Sequence, residues 1–277
     1  FSSRGPGQFV PQILKPDIIA PGVNVLAAWT AVSSPSGLTQ DPRKSEFNII
    51  SGTSMSCPHV SGIAALLRGQ HRDWSPAAIR SALMTTASIL DNVGLPISDE
   101  ASGKFTSPFD VGAGHVIPEK AMDPGLVYDI QPRDYVDFLC ALNYSLPSIH
   151  VITRTPSFCH PIANANSLNY PSFSAFLNLS QEEGLVSTFN RTLINVGPSP
   201  YVTYNATVWP PRGVRLIVNP PVLTFTSLGE RLAFTLTVSG RRLPTFLPED
   251  SHAFGFLVWA DSYGHVVRSP IAITWQQ

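Results

Sequence analysis

The chain has 277 residues, 43% of them hydrophobic and 13% charged, and a formal net charge of -1. So small and balanced a charge offers no electrostatic footprint for nucleic acid or an anionic membrane surface, and the length allows one large core or two ordinary ones. The longest apolar runs, 62–67 and 254–260, fall far short of the roughly 20 residues that span a bilayer, so a soluble chain with no membrane partner is expected.

The sequence opens at Phe1 inside a loop-like stretch, Phe1-Ser2-Ser3-Arg4-Gly5-Pro6, and no targeting information is read from it. Residues 15–24 (KPDIIAPGVN) read as a strand entering a turn at Pro21-Gly22. Ile49-Ile50 then leads through Ser51-Gly52 into helical periodicity. From Pro58 to about Gln70, Val60, Ile63, Ala64 and Leu67 share one helical face, which predicts a core helix rich in small residues. Asp73-Trp74 is a turn, and a second helix starts at Ser75-Pro76, with Ser75 suited to the N-cap and Pro76 to the first helical position. The first part, to about residue 128, has the mixture of short strands, turns and helices of an α/β layer.

Residues 129–166 read as a connector with one short helix around Tyr135 to Leu142. From 167 onward, seven β-branched and aromatic runs separated by turn residues predict an antiparallel β-sandwich: 185–196, 201–209, 214–218, 222–226, 232–238, 253–260 and 265–275. In Leu232 to Val238 alternate residues are expected to face the core, with the threonines outward. Three cysteines leave one over after any pairing. Cys140 with Cys159 is the favoured disulfide and Cys57 a buried free thiol; the alternative is three reduced thiols. Sequons at Asn143, Asn178, Asn190 and Asn205 modestly favour a secreted glycoprotein.

The run from Gly52 to Gly62, GTSMSCPHVSG, sets Ser54 between a strand-like segment and a helix of small residues. A serine hydroxyl needs a general base to become a nucleophile, and backbone N–H groups at a helix mouth can stabilise an oxyanion. A lone serine there is more often an N-cap. The G-x-S-x-G hydrolase elbow is not matched, because the fifth position is Ser56. Here the resemblance becomes specific: GTSMSCPHVSG is similar to the serine motif of the subtilisin-like peptidases (family S8). KPDIIAPGVNVLAAW, DWSPAAIRSALMTTA, DVGAGHVIPEKAMDPGLVYD and LNYPSF resemble the plant branch of that family. The resemblance implies the C-terminal part of a doubly wound parallel-sheet peptidase domain over 1–128, and a fibronectin type III-like sandwich over 167–277. It makes Ser54 the nucleophile, with Thr53 and Met55 beside the oxyanion and substrate. It also implies polypeptide substrates and an extracellular setting, the apoplast or cell wall.

A subtilisin-type triad runs Asp, His, Ser along the chain, yet no histidine precedes Ser54 and neither Asp17 nor Asp41 lies in an acid motif. The base, its acid and the oxyanion asparagine are therefore expected in a missing N-terminal half. Loss of that histidine in a subtilisin costs on the order of 10⁶ in kcat, so an isolated fragment is expected to be inactive. His59 reads as a hydrogen-bonded core residue, His71 as solvent-facing, His115 as structural, and His150, His160, His252 and His265 as surface residues. Asp17, Asp110 and Asp123 are expected to bond turn backbone. No metal or cofactor motif occurs, and Arg241-Arg242 reads as a solvated turn. The rival readings are a truncated, non-catalytic binding module and, more weakly, an esterase using His115 or His150.

Overall fold

The computed structural model describes residues 1–161, 164–178, 185–240 and 251–276; Arg241-Arg242 and the last two residues of the Asn178 sequon lie outside them. In the first part, β1 (Val25–Ala28) pairs antiparallel with β2 (Phe47–Ile50), in register from Val25↔Ile50 to Ala28↔Phe47. The helices are α1 (Thr53–Gln70), α2 (Pro76–Thr85), α3 (Pro108–Val111) and α4 (Pro118–Met122). Ser75 accepts from the Ala78 N–H and Pro76 opens α2, the expected cap. The stretch at 15–24 is not a strand. It runs extended with a single parallel bridge, Ile19 to His115, because Pro16 and Pro21 have no N–H to give a ladder.

α2 is buried on almost every side, whereas α1 is not the core helix its composition predicts. Of its 18 residues only Leu67 is buried, and Leu66 is 64% exposed. Val60, Ile63 and Ala64 are partly covered by the cluster of Trp74, Ala78, Ile79, Ala82 and Leu83. A helix apolar on most of its surface belongs inside a core, and the described residues cover it only towards its C-terminal end. Cys57 is exposed for the same reason, which corrects the expectation of a buried thiol.

The connector holds two helices, α5 (Pro132–Ala141) and α6 (Leu146–Thr153). The second was not expected, although Ser145 caps it and Pro147 sits in its first turn. Cys140 and Cys159 are disulfide-bonded, with Cα atoms 5.6 Å apart, closing the loop that contains α6.

The sandwich consists of β3 (Leu126–Val127), β4 (Phe173–Asn178), β5 (Val186–Asn195), β6 (Val202–Trp209), β7 (Val214–Asn219), β8 (Val222–Phe225), β9 (Arg231–Gly240), β10 (His252–Ala260) and β11 (Val266–Gln276). One sheet has the order β4-β11-β10-β6-β8 and the other β3-β5-β9-β7. All seven predicted runs are strands. β3 and β4 are additional, and β4 lies parallel to β11, so the sandwich is not purely antiparallel. Along β9, Phe234, Leu236 and Val238 are buried while Thr235 and Thr237 are half-exposed. The inter-sheet core is aromatic: Phe173, Phe189, Tyr204, Phe225, Phe234 and Trp259.

β3 precedes the connector in sequence yet belongs to the sandwich, pairing Leu126↔Asn195 and Val127↔Ile194. Val127 and Ile194 also pack with Leu67, Trp74 and Ala78, so the two parts share a core at this seam. Arg268 of β11 reaches across it and donates from Nη2 to the Ala87 and Ala113 carbonyls. Burial pulls its pKa down to about 10.

Candidate active site

Helix α1 begins at Thr53 with Gly52 as its N-cap, and no side chain caps it. This removes the N-cap reading of both Ser54 and Ser56. Ser54 lies in the first turn and is exposed, as is Thr53, while Met55 is half-buried. Backbone donors of a first helical turn have no intrahelical acceptor, so the Ser54 N–H is available to an anion at that end. Pro58, four residues on, has no N–H to give the Ser54 carbonyl. Among the described residues no side chain hydrogen-bonds the Ser54 hydroxyl.

What holds this turn is the preceding segment. The Gly52 N–H donates to the Gly22 carbonyl at 2.8 Å, the Asn24 N–H to Ser51 Oγ at 2.8 Å, and Ser56 Oγ to the Ala20 carbonyl at 3.0 Å. Gly22 has no room for a side chain: a Cβ there would sit 2.2 Å from Ser56 Oγ and 2.9 Å from the Gly52 carbonyl oxygen. The segment is itself anchored, since Ile19 bonds the 112–116 stretch on both sides, Ile19 N–H to Gly114 O at 2.9 Å and Val116 N–H to Ile19 O at 3.0 Å. Gly22, Ala20 and Ser56 therefore position Ser54, and the sequence reading missed all three in this role. Its one available signal was the Pro21-Gly22 turn.

The histidines are occupied elsewhere. His59, exposed rather than in a core, places Nδ1 2.7 Å from the Met55 carbonyl of its own helix. His71 is half-buried: its ring stacks on Trp74 at 3.8 Å and Nε2 lies 2.9 Å from the Met122 carbonyl. His115 sits in the ladder with Ile19 and Ser88. His150 and His160 are exposed, and His160 pairs with Asp137 at 2.9 Å. His252 is partly buried, edge-on to Phe109, and burial lowers its pKa.

His265 is the clearest departure from a surface histidine, wedged between Asp261 and Asp123 with its side chain only 12% exposed. Asp123 accordingly binds this ring rather than turn backbone. Asp17 likewise departs from expectation, accepting from Lys15 Nζ at 2.8 Å and from Tyr170 Oη at 2.5 Å. Asp110 does bond turn backbone, through the Ser107 N–H at 2.8 Å. The carboxylate–histidine pairs among the described residues thus involve His160 of the connector and His265 of the sandwich, neither of them in the first turn of α1.

Of the sequon asparagines, Asn143, Asn190 and Asn205 are exposed and Asn178 is half-exposed at the end of β4. No helix among the described residues is long and apolar enough to cross a membrane.

Residues 1–114 match the profile described as "Subtilase family", and residues 167–273 match that described as "Fibronectin type-III domain". Subtilisin-like protease SBT1.6 of Arabidopsis thaliana is 51% identical, over 99% of this chain and 36% of that protein. Subtilisin-like protease SBT1.5 of the same plant is 49% identical, over 100% of this chain and 36% of that protein. A Glycine max relative, Subtilisin-like protease Glyma18g48580, is 46% identical over 99% and 34% respectively. The chain thus spans about a third of the length of these relatives.

Proposed function

From the premise that the chain belongs to the subtilase family and carries a fibronectin type-III domain behind its peptidase portion, we propose that it is the nucleophile-bearing part of a serine endopeptidase. Residues 1–128, whose last strand β3 pairs into the sandwich, form the peptidase portion, 129–166 the connector and 167–277 the fibronectin type III-like domain. Ser54 Oγ attacks the carbonyl carbon of a polypeptide substrate and gives up its proton to a histidine base. The tetrahedral oxyanion is met by the Ser54 N–H and an asparagine amide. The base returns the proton to the leaving amine as the C–N bond breaks, and water then releases the acyl group. The base, its orienting acid and that asparagine belong to sequence outside these 277 residues.

The observation that carries this reading is the first turn of α1: an exposed, uncapped Ser54 held in place by Gly22 and Ser56. The half-covered state of α1 supports the second element, a chain that packs with further sequence. An extracellular, glycosylated protein fits the disulfide and the exposed Asn143, Asn190 and Asn205.

The test is fluorophosphonate labelling with adduct mapping. The complete protein is expected to label at Ser54, and the 277-residue chain alone to remain unlabelled. Robust labelling of the isolated chain overturns the claim that activation comes from outside it. Failure of both favours a non-catalytic binding module.

A further inference from the structure

We propose that His265 is a proton-operated latch that fastens the fibronectin type-III domain to the peptidase portion through Asp123. Both ring nitrogens face a carboxylate oxygen: Nδ1 lies 2.6 Å from Asp261 Oδ2 and Nε2 lies 3.1 Å from Asp123 Oδ2. A carboxylate only accepts, and a neutral imidazole has one N–H. Only the imidazolium donates to both. When the ring loses a proton it keeps the shorter bond to Asp261, whose side chain is fully buried. The Nε2 lone pair then faces the Asp123 oxygens, and attraction becomes repulsion.

The two carboxylates come from different parts of the molecule. Asp261 is in the turn between β10 and β11 and also holds the Tyr263 and His265 N–H groups, each at 2.9 Å. Asp123 follows α4, in the turn that leads into β3. Beyond these two, the titratable groups packed around the ring are Tyr204 of β6 and Tyr263 of the Asp261 turn, with His71 at the far side of the Asp123 turn. Tyr204 is kept neutral by burial and by Asp261, which push its phenol far above the ordinary value. Burial works against a charged His265, but the bonds to Asp261 and Asp123 outweigh it and hold its pKa above the usual histidine value.

The direction of the pH effect follows. A pKa raised on folding contributes stability that is complete below the ordinary value of about 6.5 and is lost as pH climbs through the folded-state pKa. The seam is therefore fastened in mildly acidic solution and loosens as pH rises through the raised His265 pKa. The latch reaches α1 as well, because His71 at the C-terminal end of that helix bonds the Met122 carbonyl beside Asp123. Gly125 tightens the joint: a Cβ there would sit 2.3 Å from Tyr204 Oη and 2.8 Å from the His265 side chain.

The reporter is the Val196 N–H, bonded to the Gly125 carbonyl at 3.0 Å across the same seam. Hydrogen exchange of the whole chain, corrected for intrinsic rates, is followed from acid to mildly alkaline pH alongside the His265 ring titration by NMR. Protection of Val196 is expected to fall about two- to fivefold as His265 deprotonates, the effect of a partly exposed ion pair. In Asp123→Asn the amide can pair with either form of the ring, so the His265 pKa drops and the pH dependence of Val196 disappears. Asp123 is 56% exposed, so this variant folds. His265→Gln gives a flat profile too. Val196 protection independent of pH in the parent chain, or a His265 pKa unchanged by Asp123→Asn, overturns the proposal.

Discussion

Gly22 and Ser56 touch so closely that a single carbon added to Gly22 would fall 2.2 Å from the Ser56 hydroxyl, two residues along the helix from Ser54. Backbone is also too close, with the Gly52 carbonyl oxygen at 2.9 Å. Gly22→Ala therefore has to displace either the 20–22 segment or the helix mouth. It is expected to cost about 1–3 kcal/mol of stability, the usual range for forced overpacking. In the complete protein, acylation of Ser54 is expected to slow by about 10²-fold, because a misplacement of the order of 1 Å is enough for that. Labelling rate and thermal melting measured on the same variant separate the two effects.

Neighbouring serines in the same turn should behave oppositely. Ser56 Oγ donates to the Ala20 carbonyl, so Ser56→Ala is expected to lose about 1 kcal/mol, the net worth of one hydrogen bond. Ser54 caps nothing and is exposed, so Ser54→Ala is expected to leave stability unchanged while abolishing fluorophosphonate labelling of the complete protein. Urea denaturation of the two variants decides. A larger stability loss in Ser54→Ala than in Ser56→Ala contradicts the geometry.

The contrast between these serines also marks how far the sequence was legible. Local signals were clear where one residue type has one use: Ser75-Pro76 opened a helix, and alternation in Leu232 to Val238 placed the right side chains inward. Signals failed where the partner is remote in the chain. Nothing near Asp123 reveals that it meets His265, and nothing near Ser56 points to Ala20, because such contacts are set by how elements dock. The burial of α1 was misjudged for the converse reason, since periodicity reports what a helix needs covered and not what covers it. β3 escaped notice because two residues carry no period.

Closing the loop between residues separated by 19 positions is worth about 3 kcal/mol in the chain-entropy treatment of a disulfide. The benefit falls on α6, where Ile149 is the buried residue. Cys140→Ser with Cys159→Ser is expected to expose the amides of Ser148 to Thr153 to exchange while the strands of the sandwich stay protected. Thiol titration of the parent chain under denaturing, non-reducing conditions should find one free thiol, that of Cys57. Three free thiols would contradict the pairing.

The sandwich should depend on residues that precede its apparent start. Leu126 and Tyr128 are fully buried in its core, and Tyr128 Oη accepts from Ser269 Oγ of β11 at 3.0 Å, with burial lifting the phenol pKa to about 12. Arg191 adds to the dependence through Nη1, which donates to the Asn166 carbonyl at 2.5 Å. It sits fully buried on β5, donating to the Tyr170 carbonyl at 3.0 Å, so the strand is tied to the chain entering the domain. A fragment beginning at 167 keeps the Tyr170 contact but loses β3 and Tyr128, uncovering Phe234 at the ring contact they share. Relative to a fragment beginning at 124 and carrying the Cys140–Cys159 loop, it is expected to be less stable by several kcal/mol. Each large apolar side chain removed from a core accounts for about 1.5–3 kcal/mol. Equal denaturation midpoints for the two fragments would show that the domain closes without β3.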